Sequence, residues 1–278
     1  LRKSGIGLAV ISYDTRTILA DFAKRHGITY PLLSDVGSAT IRRYGILNTV
    51  AEDALGPNGK DPEVLGDLQR YVTVTQASER FRGIPFPGTF MLDRQARVTA
   101  RFFEDYYWER NTVSSVLLRL GTAGTPVAAI RGSSAYLDVT AYASDQSVSL
   151  GTRFSLVADV RPKRGMHVYA PGATGYRVVG LTINPLAHVR TMPVRYGPSE
   201  MYYFKPLNER VPVYQKPFTL ALDVVADATP DARKAMADTR ELVFNGTLDY
   251  QACDDKICYN PTSLPLSWRV ALGQNVSK

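Results

Sequence analysis

The sequence predicts two joined folds, an α/β lobe followed by an all-β antiparallel sandwich. Residues 5–120 alternate continuous apolar runs with helix-period segments. Residues 121–134, GTAGTPVAAIRGSS, are small and bear Gly and Ser, the composition of a linker. From residue 135 the apolar pattern switches to period two, in short runs broken by Pro and Gly. A chain of 278 residues has room for two domains, and 45% apolar against 21% charged residues supplies both cores.

In the first half, IGLAVISY reads as a strand buried on both faces. TRTILADFAKRHG follows as a helix with Ile18, Leu19, Phe22 and Ala23 on one face and Gly27 as its stop. YPLLSD is a second strand and SATIRRYG a short helix ending at Gly45. Residues 46–82 are polar, include LGPNGKDPEVLG, and read as a long insertion. GTFMLDRQARVTARFF is a hairpin turning around Arg94–Ala96. ERNTVSSVLLRLG is a helix closing this lobe, with Val113, Val116, Leu117 and Leu120 facing inward. In the second half about seven strands follow, among them AYLDVTAYA, RFSLVADV, MHVYA, PFTLALDVVA and ELVFNGTLDYQA. TPDARKAMADT is the one helical or loop interruption.

The net charge of +7 invites a nucleic-acid or anionic-membrane reading. Its distribution argues against both: 16 basic against 13 acidic residues before position 131, and 17 against 13 after it, with no basic stripe. No stretch approaches the ~18 apolar residues of a membrane span. The opening LRKSGIGLAVISYD is not a signal peptide, because its apolar run ends at Ile11 and Asp14 and Arg16 follow.

The only two cysteines, Cys253 and Cys258, lie in DYQACDDKICYNP. A zinc site needs four ligands, and His26, His167 and His188 all lack ligand spacing to the pair. Two readings stay open on the residues alone. A disulfide closing so short a loop contributes only about 2 kcal/mol, which makes it a poor staple. A redox pair is the other reading. Asp249, Asp254 and Asp255 disfavour a thiolate and Lys256 favours one, so the pair is not an aggressive nucleophile. The spacing does not say which sulfur is attacked. Farther upstream, SEMYYFKP places three aromatics in a row, and strand alternation sends at least one of them outward.

The first half resembles the thioredoxin-fold peroxiredoxins of the AhpC/TSA group and the related TlpA-type redoxins. The matching stretches are ISYDTRTILADFAKRHGITYPLLSDVGSATIRRYGI and PFPGTFMLDRQARV. The resemblance implies a thioredoxin-like lobe over 1–120, interrupted by the 46–82 insertion, with Pro87 at the family's cis-proline. Residues 1–130 hold no cysteine, and Pro87-Gly88 stand where peroxiredoxins keep an arginine. The family's cysteine segment would therefore lie upstream of residue 1, leaving this lobe incomplete.

The second half, 135–278, resembles the N-terminal periplasmic domain of DsbD, also described as a disulfide-bond-corrector domain. RGMHVYAPG, EMYYFKPLNERVPVYQKPFTLALDV and GTLDYQACDDKICYNPTSLPLSW carry the resemblance. It implies an immunoglobulin-like sandwich with a reversible Cys253–Cys258 disulfide. Glu200, Tyr202, Tyr203 and Phe204 would form a cap over it, and His167 and Tyr169 would lie beside it. The implied function is thiol–disulfide exchange with other redox proteins, in the bacterial periplasm or outside the cell, with no dissociable cofactor. Two alternatives remain: a non-enzymatic binding module with a structural disulfide, or a peroxiredoxin-class peroxidase whose active cysteine lies upstream.

Overall fold

The computed structural model describes residues 5–72, 76–103, 109–121, 128–205 and 208–273. The chain divides into two compact units, Leu1–Arg110 and Asn111–Lys278. It mixes helices with a larger share of β-sheet, and among the described residues no helix is long and apolar enough to cross a membrane. Of the linker expected at 121–134, residues 122–127 lie outside the described residues, and Ile130–Ser133 is a strand.

The first unit begins with β1 (Val10–Ser12), α1 (Arg16–His26) and β2 (Leu32–Ser34). Thr15 caps α1 by accepting from the Ile18 N–H, and Gly27 ends it in the left-handed region at φ 61°. β1 pairs β2 in parallel. Three helices follow: α2 (Ala39–Arg43), α3 (Thr49–Ala54) and α4 (Pro62–Val72). The stretch expected to be a polar insertion is therefore mostly helical. It has its own core, where Ala51, Ala54, Leu68, Val72 and Ile84 pack together. The apolar positions were visible in the sequence, but the Gly and Pro around them concealed two short helices.

β3 (Gly88–Leu92) and β4 (Val98–Phe103) form the expected hairpin, as a two-stranded sheet separate from β1–β2. Val10 and Ile11 are exposed, so β1 is not the doubly buried strand its apolar run predicts. The expectation of a cis-proline at Pro87 is overturned, since no cis peptide bond occurs among the described residues. Trans is the default for X–Pro by about 0.5–1 kcal/mol. The preceding segment is also held extended, by a Leu47–Pro85 bridge and a 2.7 Å bond from the Phe86 N–H to the Ile46 carbonyl.

The short strand β5 (Arg110–Asn111) falls at the boundary of the units. α5 (Val113–Arg119) belongs to the second unit and does not close the first. Thr112 caps it, accepting from the Ser115 N–H at 3.1 Å. Leu118 packs with Tyr142, Val157 and Ala221, while Val113 faces solvent. Helical periodicity marks an apolar stripe but not the sheet that receives it.

The second unit continues with β6 (Ile130–Ser133), β7 (Leu137–Ala143), β8 (Ser147–Val148), β9 (Thr152–Pro162) and β10 (His167–Tyr169). Next come β11 (Gly180–Ile183), β12 (Val189–Thr191), β13 (Arg195–Tyr196), β14 (Glu200–Phe204), β15 (Glu209–Tyr214) and β16 (Phe218–Ala226). It ends with α6 (Pro230–Ala235), β17 (Glu241–Tyr250), β18 (Ala252–Cys253) and β19 (Thr262–Leu272). One sheet runs β12-β16-β9-β7-β6 and a second runs β11-β17-β19-β8. Their inner faces share one core, in which Phe154 of β9 meets Phe244 of β17 edge-on at 6.0 Å. The Trp268 indole N–H reaches across to the Val157 carbonyl at 2.9 Å, satisfying the one polar atom this large ring buries. A third sheet, β14-β15-β10-β18, carries the cysteines at its edge.

Candidate functional site

β17 is a ten-residue strand paired along its whole length with β19. It delivers the chain into β18, where Cys253 ends the strand. Cys253 and Cys258 are joined by a disulfide and bridge each other across the turn between them. Asp254 fixes that turn. Its carboxylate accepts from the Lys256 and Ile257 N–H groups, both at 2.8 Å, and from the Tyr259 hydroxyl at 2.9 Å. Those backbone bonds are the main reason its carboxyl is held below the usual range. Asp254 therefore shapes the loop, beyond the thiolate-disfavouring charge that the sequence assigns it. Asp249 is engaged away from the sulfurs, with Ser263 and Arg177.

The two sulfurs differ in access. Cys253 is fully buried, whereas Cys258 is half-buried. β10 lies alongside, antiparallel to β18, with His167 directly opposite Cys253. Two residues on, the same strand face presents Tyr169. Its hydroxyl sits 3.1 Å from Cys253 Sγ and 3.2 Å from Cys258 Sγ. Disulfide sulfurs carry no hydrogen, so the phenol donates. Burial is the main cause that raises the Tyr169 pKa, with Tyr176 and Glu209 adding to it, and the hydroxyl keeps its proton at neutral pH.

Aromatic rings close the site from two sides. The β14–β15 hairpin supplies Tyr202, which packs with the cysteine cluster and donates to Asp255 Oδ1 at 2.9 Å. Its ring lies 4.6 Å from that of His167. Alternation along β14 sends Tyr203 outward, where it bonds Asn208, and returns Phe204 to the buried side. Glu200 pairs with Lys216 at 3.0 Å. Of the four residues expected in the cap, Tyr202 is thus the one packed against the cysteines. It belongs to a hairpin in the same sheet.

The second cover escaped the sequence reading. Gly172 and Gly175 adopt φ of 96° and 80°, a left-handed geometry that glycine tolerates, and turn the chain back after β10. The turn stacks Tyr176 on Tyr169 at 4.0 Å, and the Tyr176 hydroxyl donates to Glu209 Oε2 at 2.7 Å. The signal was the pair of glycines in PGATGY followed by an aromatic. Among the described residues no group of His, Cys, Asp and Glu is arranged to hold a metal.

A disulfide wrapped in tyrosines at a sheet edge, with one of its cysteines only half-buried, is a site of the thiol–disulfide class. The family comparisons agree with that class. Residues 137–265 match the N-terminal domain family of the thiol:disulfide interchange protein DsbD, and residues 1–101 match the AhpC/TSA family. Both matches point to thiol–disulfide redox chemistry. Among solved structures, the chain is similar to the N-terminal periplasmic domain of ScsB from Proteus mirabilis. The identity is 13% and the TM-score 0.34, over 50% of this chain and 49% of that one. It is also similar to the reduced DsbD N-terminal domain from Neisseria meningitidis, with 13% identity and a TM-score of 0.29, over 42% of this chain and 81% of that one. The chain thus spans about half the length of the ScsB domain it matches. No curated protein matches.

Proposed function

We propose that this protein exchanges electrons with partner redox proteins through Cys253 and Cys258, in the periplasm or outside the cell. The second unit acts as an immunoglobulin-like exchange domain, and the first as a thioredoxin-like lobe. No dissociable cofactor takes part. The observation that carries the reading is the unequal burial of two sulfurs that share one hydroxyl donor. A partner thiolate reaches Cys258 Sγ first, forms a mixed disulfide there, and breaks the Cys253–Cys258 bond. The electron pair leaves on Cys253 Sγ, where the Tyr169 hydroxyl stabilises it. A second partner thiolate then attacks the mixed disulfide and releases Cys258, and the partner departs oxidised.

The complete burial of Cys253 also favours a second reading, a structural bridge in a binding module. The reduction potential separates the two. Equilibration in dithiothreitol or glutathione buffers, read by thiol alkylation, should place the pair above the roughly −300 mV of structural disulfides. A value far below that mark would establish the structural bridge.

A further inference from the structure

The imidazole of His167 is the feature of this site that the exchange scheme leaves unused. His167 is almost fully buried, and no described group hydrogen-bonds its Nε2. Buried polar atoms are nearly always paired, so an orphan nitrogen calls for a physical account. Its position supplies one. His167 stands directly across the strand pair from Cys253, where side chains lie about 5 Å apart at Cβ. The rings of Tyr202 and Tyr169 enclose it at 4.6 and 5.8 Å. While the disulfide is intact, Cys253 Sγ is tied to Cys258 and carries neither proton nor charge. Reduction frees that sulfur to turn about χ1 and makes it an acceptor.

We propose that His167 is the proton carrier of the reduced site, unpaired in the disulfide state and converted to an imidazolium that pairs with the Cys253 thiolate once the bond is broken. The inference rests on the exchange reading of the disulfide. The stoichiometry closes without further reactants. A partner dithiol gives up two electrons and two protons and becomes a disulfide. The electrons break the Cys253–Cys258 bond, one proton ends on Cys258 Sγ, the other on His167, and Cys253 remains a thiolate.

The surrounding charges fit this switch. In the oxidised state burial is the main influence on His167 and lowers its pKa, against smaller raising effects of Asp255 and Asp254, so the ring is neutral. The other titratable groups around it are the hydroxyls of Tyr169 and Tyr202 and the two cysteines, with Tyr176 and Glu209 one layer behind Tyr169. None of these is a cation. A new thiolate beside the ring is therefore the charge that tips it to the protonated form.

The test uses the full chain in both redox states, the reduced one prepared with a phosphine. With only three histidines present, the His167 ring can be followed by NMR across pH. Its protonated fraction at pH 7 should be at least tenfold higher in the reduced protein than in the oxidised one. In parallel, thiolate absorbance at 240 nm at pH 7 should fall about tenfold in His167→Phe, and His167→Gln should not restore it. Identical His167 titration in the two states would overturn the proposal. So would thiolate absorbance that His167→Phe leaves unchanged. Both readouts use chemically reduced protein, so they stand apart from the buffer equilibration that tests exchange. A low potential with a normal His167 response would refute exchange alone.

Discussion

The Tyr169 hydroxyl is shared between both sulfurs of the disulfide, at 3.1 Å from Cys253 and 3.2 Å from Cys258. One donor thus serves whichever sulfur becomes charged. A hydrogen bond to a neutral disulfide sulfur is weak, while one to a thiolate is charge-assisted and contributes about 1.5–3 kcal/mol. The contact therefore favours the reduced state.

Replacing Tyr169 with Phe should shift the exchange equilibrium toward the disulfide. In a fixed glutathione buffer the ratio of dithiol to disulfide should fall about tenfold, corresponding to ~1.4 kcal/mol. The ring and its stacking on Tyr176 remain, so the thermal midpoint should move little. Quantitative alkylation checks the ratio. An unchanged ratio would show that the hydroxyl merely fills space.

The covering hairpin gives a graded prediction, because the three aromatics of β14 face different ways. Tyr202→Ala uncovers the cluster around the cysteines and should speed reduction by glutathione about tenfold, or ~1.4 kcal/mol of barrier. Tyr203→Ala alters an exposed ring and should change that rate less than twofold. Phe204→Ala truncates a buried side chain and should cost about 3 kcal/mol of stability. Replacing all three at once would confuse protection with packing. Stopped-flow reduction and thermal melts separate the two effects.

How far the sequence foretold this site depends on the kind of signal. Period-two alternation was local, so it located β9, β16 and β17, and it sent Tyr203 to the opposite side from Tyr202 and Phe204. The pairing of His167 with Cys253 joins residues 86 positions apart, and only the family resemblance brought them together. The burial of His167 with an unpaired nitrogen had no sequence signature at all. Tyr176 and Glu209 went unseen because their contact depends on two left-handed glycines that turn the loop back. α5 was legible as a helix, but its destination was not, since the partner of Arg119 lies over a hundred residues away on β16.

That partner, Asp223, carries an acid-stability prediction. Its carboxylate is almost fully buried between the guanidinium groups of Arg119 and Arg195, and it accepts from the Ser155 hydroxyl at 2.7 Å. Burial alone would raise its pKa, yet the Ser155 bond and the two arginines outweigh burial and hold it below the ordinary value. Asp223 therefore adds stability above the unfolded-state value near pH 4, and that contribution disappears as pH falls through the lower folded value. Asp223→Asn should flatten the acid limb of the stability curve below about pH 4. Asp223→Ala, which leaves the arginines uncompensated, should cost about 3–5 kcal/mol at pH 7. Urea melts across pH test both, and an acid limb unaltered by the Asn variant would contradict the assignment.

The last prediction concerns the first unit. Among the described residues, β1–β2 and β3–β4 are separate two-stranded sheets. Ile11 and Leu33 are direct cross-strand partners, exposed by 40% and 47%. Leu92 and Val98, paired across the second hairpin, are exposed by 48% and 49%. Apolar side chains exposed side by side on a strand pair favour association and bind hydrophobic dyes. A fragment of residues 1–110 should therefore bind such a dye and self-associate at micromolar concentration. In the full chain, replacing Ile11 and Leu33 with Lys should lower dye binding at least twofold without moving the melting of the second unit, whose core contains neither residue. A fragment that melts cooperatively as a dye-negative monomer would mean that these strands are covered in solution. Dye binding unaffected by the double Lys change would place the apolar surface elsewhere.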